Sequence, residues 1–260
     1  MRLSTIRILS AAASVAFLAG FGMTAQAGPL LFDQNITPDI IFGSGNTNGG
    51  FTVDRSNGVE LGLRAKIPFT GVLHSNGDGT YSYSFADENG AIPHTGAPAW
   101  NFDWTVNTDF GGTTGNKINA FTYRLDIDFD PSAATNFFSF DPITGTFFDH
   151  SIGNNGTANG GGTEATDAGT YATLIANNNV LQQSWRHAFF ASAVPAFPYD
   201  PLVAGTYDIV LTAFDVNGVI ASTQIQVNII PEPGTLMLFA FGLFGLALLR
   251  RRRITATRRA

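Results

Sequence analysis

The segment LDIDFDP (Leu125–Pro131) sets three carboxylates, Asp126, Asp128 and Asp130, two residues apart. On a strand that spacing lines them along one face and turns Leu125, Ile127 and Phe129 to the other. Clustered hard oxygens are what Ca2+ takes as ligands, so the segment is a candidate calcium site. A solvated strand face has the same pattern, and both readings stand. A second stretch, SNGDGTY (Ser75–Tyr81), sets Asn76 and Asp78 beside two glycines and fits a plain turn better than a calcium loop. In WNFDWTVN (Trp100–Asn107), Trp100, Phe102, Trp104 and Val106 alternate with Asn101, Asp103, Thr105 and Asn107. An aromatic face bearing Trp100 and Trp104 can stack on sugar rings while neighbouring amides bond the hydroxyls. The same pattern also builds a core.

Other chemistries are excluded or left without residues. The chain has no cysteine, so it has no disulfide, thiolate metal site or Cys nucleophile. It lacks a G-x-S-x-G elbow, an H-E-x-x-H helix and a Walker loop. His74, His94, His150 and His187 are far apart, and no pair has ligand spacing. Aspartates abound between residues 28 and 230, but only three glutamates lie there, and no carboxylate pair for glycoside hydrolysis stands out. The expectation is a non-catalytic protein without cofactor, Ca2+ at Asp126–Asp130 aside. The alternative is a secreted enzyme acting on polysaccharide through cleft carboxylates.

The elements that must position these residues read as strands. VELGLRAKI (Val59–Ile67) alternates weakly; Tyr81, Tyr83 and Phe85 share a face, and FTYRLDIDF (Phe121–Phe129) alternates cleanly. Gly205–Ile229 reads as two strands about Asn217-Gly218, a dipeptide that favours a type I′ turn, and Ile225, Val227 and Ile229 face one way. Asp167–Asn179 is the one helical candidate. GNNGTANGGG (Gly153–Gly162) reads as an exposed loop. The predicted fold is all-β: a single antiparallel sandwich of Greek-key or jelly-roll type with one short helix.

The two ends differ from this middle. Residues 28–230 hold six basic and 19 acidic side chains, a balance of −13, whereas eight arginines sit in the terminal segments. That distribution excludes nucleic acid as a partner. The start has Arg2 and Arg7, an apolar run from Ile8 to Phe21, and Ala25-Gln26-Ala27 before Gly28. These are the parts of a secretory signal peptide over residues 1–27, with Ala25, Ala27 and Gly28 forming the signal peptidase site after passage through the Sec translocon. At the other end Leu236–Leu249 is apolar throughout. As a helix it reaches roughly 21 Å against a hydrocarbon core of about 30 Å. It is followed by Arg250, Arg251, Arg252 and Arg253, a stop-transfer cluster. Residues 231–260 are therefore expected to hold a short transmembrane helix and a basic tail.

Pro231-Glu232-Pro233, the apolar helix and the Arg cluster, in that order, resemble the PEP-CTERM sorting signal. The resemblance implies export in a Gram-negative bacterium that makes exopolysaccharide. It also implies recognition of Pro231, Glu232 and Pro233 by exosortase, a membrane-embedded Cys protease. The inner membrane is then a transient station on the way to the cell surface or extracellular matrix, where exopolysaccharide is a partner. Proline lacks an N–H and restricts its predecessor, so Pro-Glu-Pro stays extended ahead of the helix. A retained tail would instead give a membrane-anchored periplasmic protein.

Overall fold

A computed structural model of the chain describes residues 27–67, 73–84, 100–144, 149–187, 189–190, 203–230 and 244. Two sheets pack against each other. The first contains β1 (Leu31–Gln34), β2 (Phe51–Ser56), β3 (Val59–Lys66), β5 (Asn101–Asn107), β8 (Ser151–Gly153) and β9 (Val180–Arg186), in the order β1-β2-β3-β5-β9-β8. The second contains β4 (Thr80–Ser84), β6 (Thr122–Asp128), β7 (Phe137–Phe140), β10 (Gly205–Asp215) and β11 (Gly218–Ile230), in the order β4-β11-β10-β6-β7. The predicted sandwich is thus present, with one correction to its antiparallel character: β11 and β4 run parallel, Gln226 opposite Thr80 and Ile230 opposite Ser84. β4 follows β3 of the other sheet, so that crossover sets its direction, not a hairpin with β11.

The period-2 pattern fills the space between the sheets. Leu61 and Leu63 of β3, Phe102 and Trp104 of β5, Leu125 and Ile127 of β6, Ile209 and Leu211 of β10, and Val227 of β11 are all fully buried. Each such Leu, Ile or Phe contributes about 1.5–3 kcal/mol relative to exposure. The helix α1 (Ala168–Asn177) starts where Asp167 accepts the Thr170 amide at 2.8 Å. Its Tyr171 is buried and donates its hydroxyl to the Ile143 carbonyl at 2.8 Å. No helix among the described residues is long and apolar enough to cross a membrane, and the expected transmembrane helix falls within residues 231–260, of which only Phe244 is described.

Candidate functional site

β3 is buried on both faces, which explains its weak alternation. Its inward residues join the sandwich core, and its outward ones are Glu60, Gly62, Arg64 and Lys66. The segment 36–50 folds over them and adds a second small core of Ile36, Ile40 and Phe42 against Phe51 and Val53. Buried polar side chains tie it down. Gln182 accepts the Ile41 amide and donates to the Asp39 carbonyl, each at 2.8 Å. Glu60 accepts the Thr37 amide at 2.7 Å and pairs with Arg55 at 2.7 Å. Burial raises the Glu60 pKa, and those two partners oppose the shift.

The glycine-rich stretch leaves the sheet at Gly153, the buried end of β8, and is largely exposed over 154–162, but it is also fastened to this segment. The amides of Gly160 and Gly162 donate to the carbonyls of Ile40 and Ile41 at 3.0 and 2.9 Å. The Asn159 side chain donates to the Asn46 carbonyl at 2.8 Å and accepts the Gly45 amide at 3.1 Å. A Cβ at Gly160 would come within 2.7 Å of the Ser44 backbone, so the close approach requires glycine.

Between segment 42–48 and the β3–β5 surface lies a cavity of about 550 Å3, within the usual range for small-ligand sites. Its wall is Phe42, Ser44, Asn46, Thr47, Asn48, Arg64, Lys66, Asn101 and Ser184, with Ile67 and Leu73. Arg64 and Lys66 both pair with one oxygen of Asp103, at 2.8 and 2.9 Å. Arg64 also donates to the carbonyls of Thr47 and Gly49 at 2.8 and 2.7 Å, and Lys66 donates to Asn46 at 3.3 Å. The two cations lie over the Phe51 and Phe42 rings at 4.4 and 4.8 Å. Two positive charges face one negative, so the wall carries a net +1 inside an acidic domain. The Asn101 amide donates to Ser184 at 3.1 Å, while its buried carbonyl oxygen and the second oxygen of Asp103 have no hydrogen-bond partner among the described residues. This polar, cationic hollow suits a ligand with hydroxyls and a carboxylate.

Two readings of the sequence are corrected. Trp100 and Trp104 are completely buried between the sheets and offer no face for sugar stacking; the cavity lies on the opposite face of β5. Asp126, Asp128 and Asp130 are not grouped as metal ligands among the described residues, and each accepts hydrogen bonds from protein donors instead. Asp126 pairs with Arg124 at 2.8 Å and accepts Ser139 at 2.5 Å. One Asp128 oxygen accepts the amides of Asp130 and Asn136 at 3.0 and 2.7 Å, and Asp130 accepts the Ser132 amide at 2.9 Å. Among the described residues, no group of three or more His, Asp or Glu could hold a metal ion. Asp78 bonds the amide and hydroxyl of Thr80 at 3.0 and 2.7 Å, as a turn residue does.

Two histidines lie in the core. His150 packs among Trp104, Tyr171 and Trp185, and His187 faces the Asp128 carbonyl at 2.7 Å through Nε2. Burial pushes the pKa of each down to about 4. Ala27 and Gly28 are described and half-buried, whereas Ala25, Pro231, Glu232, Pro233, Arg250, Arg251, Arg252 and Arg253 lie outside the described residues, as do Phe85 and His94. The cation-lined cavity escaped the sequence reading, because Arg64, Lys66 and Asp103 meet only once β3 and β5 pair, with Arg64 opposite Asp103. The only signal was two cations on the outward face of a strand in an acidic domain.

β11 ends at Ile230, and residues 230–253 match the family model of the PEP-CTERM protein-sorting motif. The chain carries a PEP-CTERM sorting domain. Comparison with curated proteins and with solved structures finds no match. The sorting motif implies exosortase as partner and export toward the cell surface.

Proposed function

We propose that this is an exported, non-catalytic protein of the cell surface or exopolymer matrix. Exosortase cuts it at Pro231-Glu232-Pro233, and the cavity beside Lys66 binds an acidic sugar. The observation that carries the sorting reading is the PEP-CTERM motif starting on the last residue of β11, so that the signal can be removed without unpicking the sandwich. The cavity supports the ligand: Lys66 supplies a cation for a carboxylate, and Asn46, Asn101 and Ser184 supply donors and acceptors for hydroxyls.

Mass spectrometry of cells and medium from an exosortase-bearing Gram-negative host tests the first part. A product ending near Pro231–Pro233 is expected; a chain still carrying Arg250–Arg253 in the membrane fraction would make it an anchored periplasmic protein. Calorimetric titration with oligoglucuronate and with a neutral glucose oligomer tests the second. Binding of the acidic oligomer that falls about tenfold or more in Lys66→Met supports the site. Equal binding of both oligomers, or no binding, refutes it.

A further inference from the structure

Asp54 of β2 is completely buried where that strand meets β11. Its carboxylate accepts the Ser222 amide of β11 at 2.8 Å and the Ser56 hydroxyl of its own strand. The remaining donor is the backbone nitrogen of Gly28, which lies 3.3 Å from one oxygen and 3.2 Å from the other. Among the described residues, no Lys, Arg or His ion-pairs with Asp54. A buried carboxylate without a cation is costly, and pairing it is worth more in such a place than at the surface. The approach at residue 28 is close: a Cβ there would push the Ser56 hydroxyl aside and lie 3.1 Å from the Asp54 oxygen.

Gly28 is also the residue that the small-x-small site Ala25-Gln26-Ala27 places first after signal peptide removal. We propose that the new N-terminus released at Gly28 is the missing cation of Asp54. Hydrolysis of the Ala27–Gly28 amide adds one water. Ala27 leaves as a carboxylate on the signal peptide, and the Gly28 nitrogen becomes a primary amine that takes a proton. The same nitrogen, at the same 3.2 and 3.3 Å, then carries a full positive charge against both Asp54 oxygens. Processing thus locks the start of the chain onto the seam between β2 and β11, and the mature domain is more stable than its precursor.

The proposal rests on the signal peptide being removed and is independent of the sugar cavity and of exosortase. The chain is produced with its own leader in a secreting host, and its N-terminus is read by mass spectrometry. Thermal unfolding is compared with an uncleaved form carrying Ala25→Tyr and with a mature form having one extra alanine before Gly28. The expected results are a terminus at Gly28 and a melting temperature several degrees above both comparators. In Asp54→Asn the advantage disappears. A terminus elsewhere, equal melting of cleaved and extended forms, or an advantage that survives Asp54→Asn each overturns the proposal. If Asp54→Asn fails to fold, chemical acetylation of the Gly28 amine gives the same readout: it must lower the melting temperature to that of the extended form, and no change refutes the pair.

Discussion

His150 replaced by phenylalanine should remove a defined share of the acid sensitivity of this fold. His150 is fully buried, and desolvation lowers its pKa from 6.5 to about 4. In the unfolded chain it regains the ordinary value, so between those two pH values the unfolded state binds a proton that the folded state refuses. Stability from this source is therefore complete above pH 6.5, falls as pH drops through that window, and is fully lost below about 4. From pH 7 to pH 5 the two titrations give a loss of about 2 kcal/mol, and about as much again from His187, whose pKa is lowered equally. Against a total stability of roughly 5–15 kcal/mol that is a large share. Glu60 and Asp128 work the other way, since burial raises their pKa values and the folded state keeps protons that the unfolded state has released. Both are common to the wild type and the variant, so they cancel in the difference. Phenylalanine keeps an aromatic ring among Trp104, Tyr171 and Trp185 and has no charge to bury. Urea unfolding at pH 7 and pH 5 should show the variant losing about 2 kcal/mol less than the wild type. Equal losses, or an NMR titration of His150 near pH 6.5 in the folded chain, would refute the reasoning.

Three further outcomes follow from the packing. Asp103→Asn leaves Arg64 and Lys66 buried beside each other without their shared carboxylate, and thermal unfolding should show a loss of about 3–5 kcal/mol. Trp104→Ala opens a void in the middle of the sandwich and should cost about 3–5 kcal/mol by the same measurement, against no loss if the ring were surface-exposed. Addition or chelation of calcium should leave the melting temperature unchanged, since the carboxylates of Asp126, Asp128 and Asp130 are engaged by Arg124, Ser139 and backbone amides.

Periodicity carried the strands and the core because one inward face per strand is a local property. Phe102, Trp104, Leu125, Ile127, Ile225 and Val227 all lie where alternation put them. What failed depends on what covers the other face. The same alternation in β5 sets Asn101 and Asp103 outward, and nothing local says that segment 36–50 will fold over them. The Asn-Gly dipeptide gave one misplacement and one omission. At Asn217-Gly218 the strands pair up to Asp215 and Gly218, so the turn residues are Val216 and Asn217, held by the Asp215 carboxylate accepting the amides of Asn217 and Gly218 at 2.7 and 3.1 Å. The type I′ geometry occurs instead at Asn57-Gly58, with φ values of 54° and 79°, between Ser56 and Val59. A dipeptide marks a turn, but the register of the flanking strands decides which two residues occupy it.

The sorting end of the chain can be tested through β11. Ile229 is 3% exposed and pairs with Gly205 on one side and Tyr83 on the other, whereas Ile230 is 45% exposed. The matched motif begins on Ile230, so the fold and the signal overlap by a single residue. If the sandwich is what survives processing, its last structural side chain is Ile229. Ile229→Ala should then cost about 2–5 kcal/mol, and Ile230→Ala close to nothing. A cut before Ile229 would remove a buried residue and the end of a parallel ladder, whereas a cut at Pro231-Glu232-Pro233 removes neither. Equal effects of the two substitutions on thermal unfolding would mean that the strand does not run to its end in solution. The signal would then have a slack tether, and the match between the end of the fold and the start of the motif would lose its force.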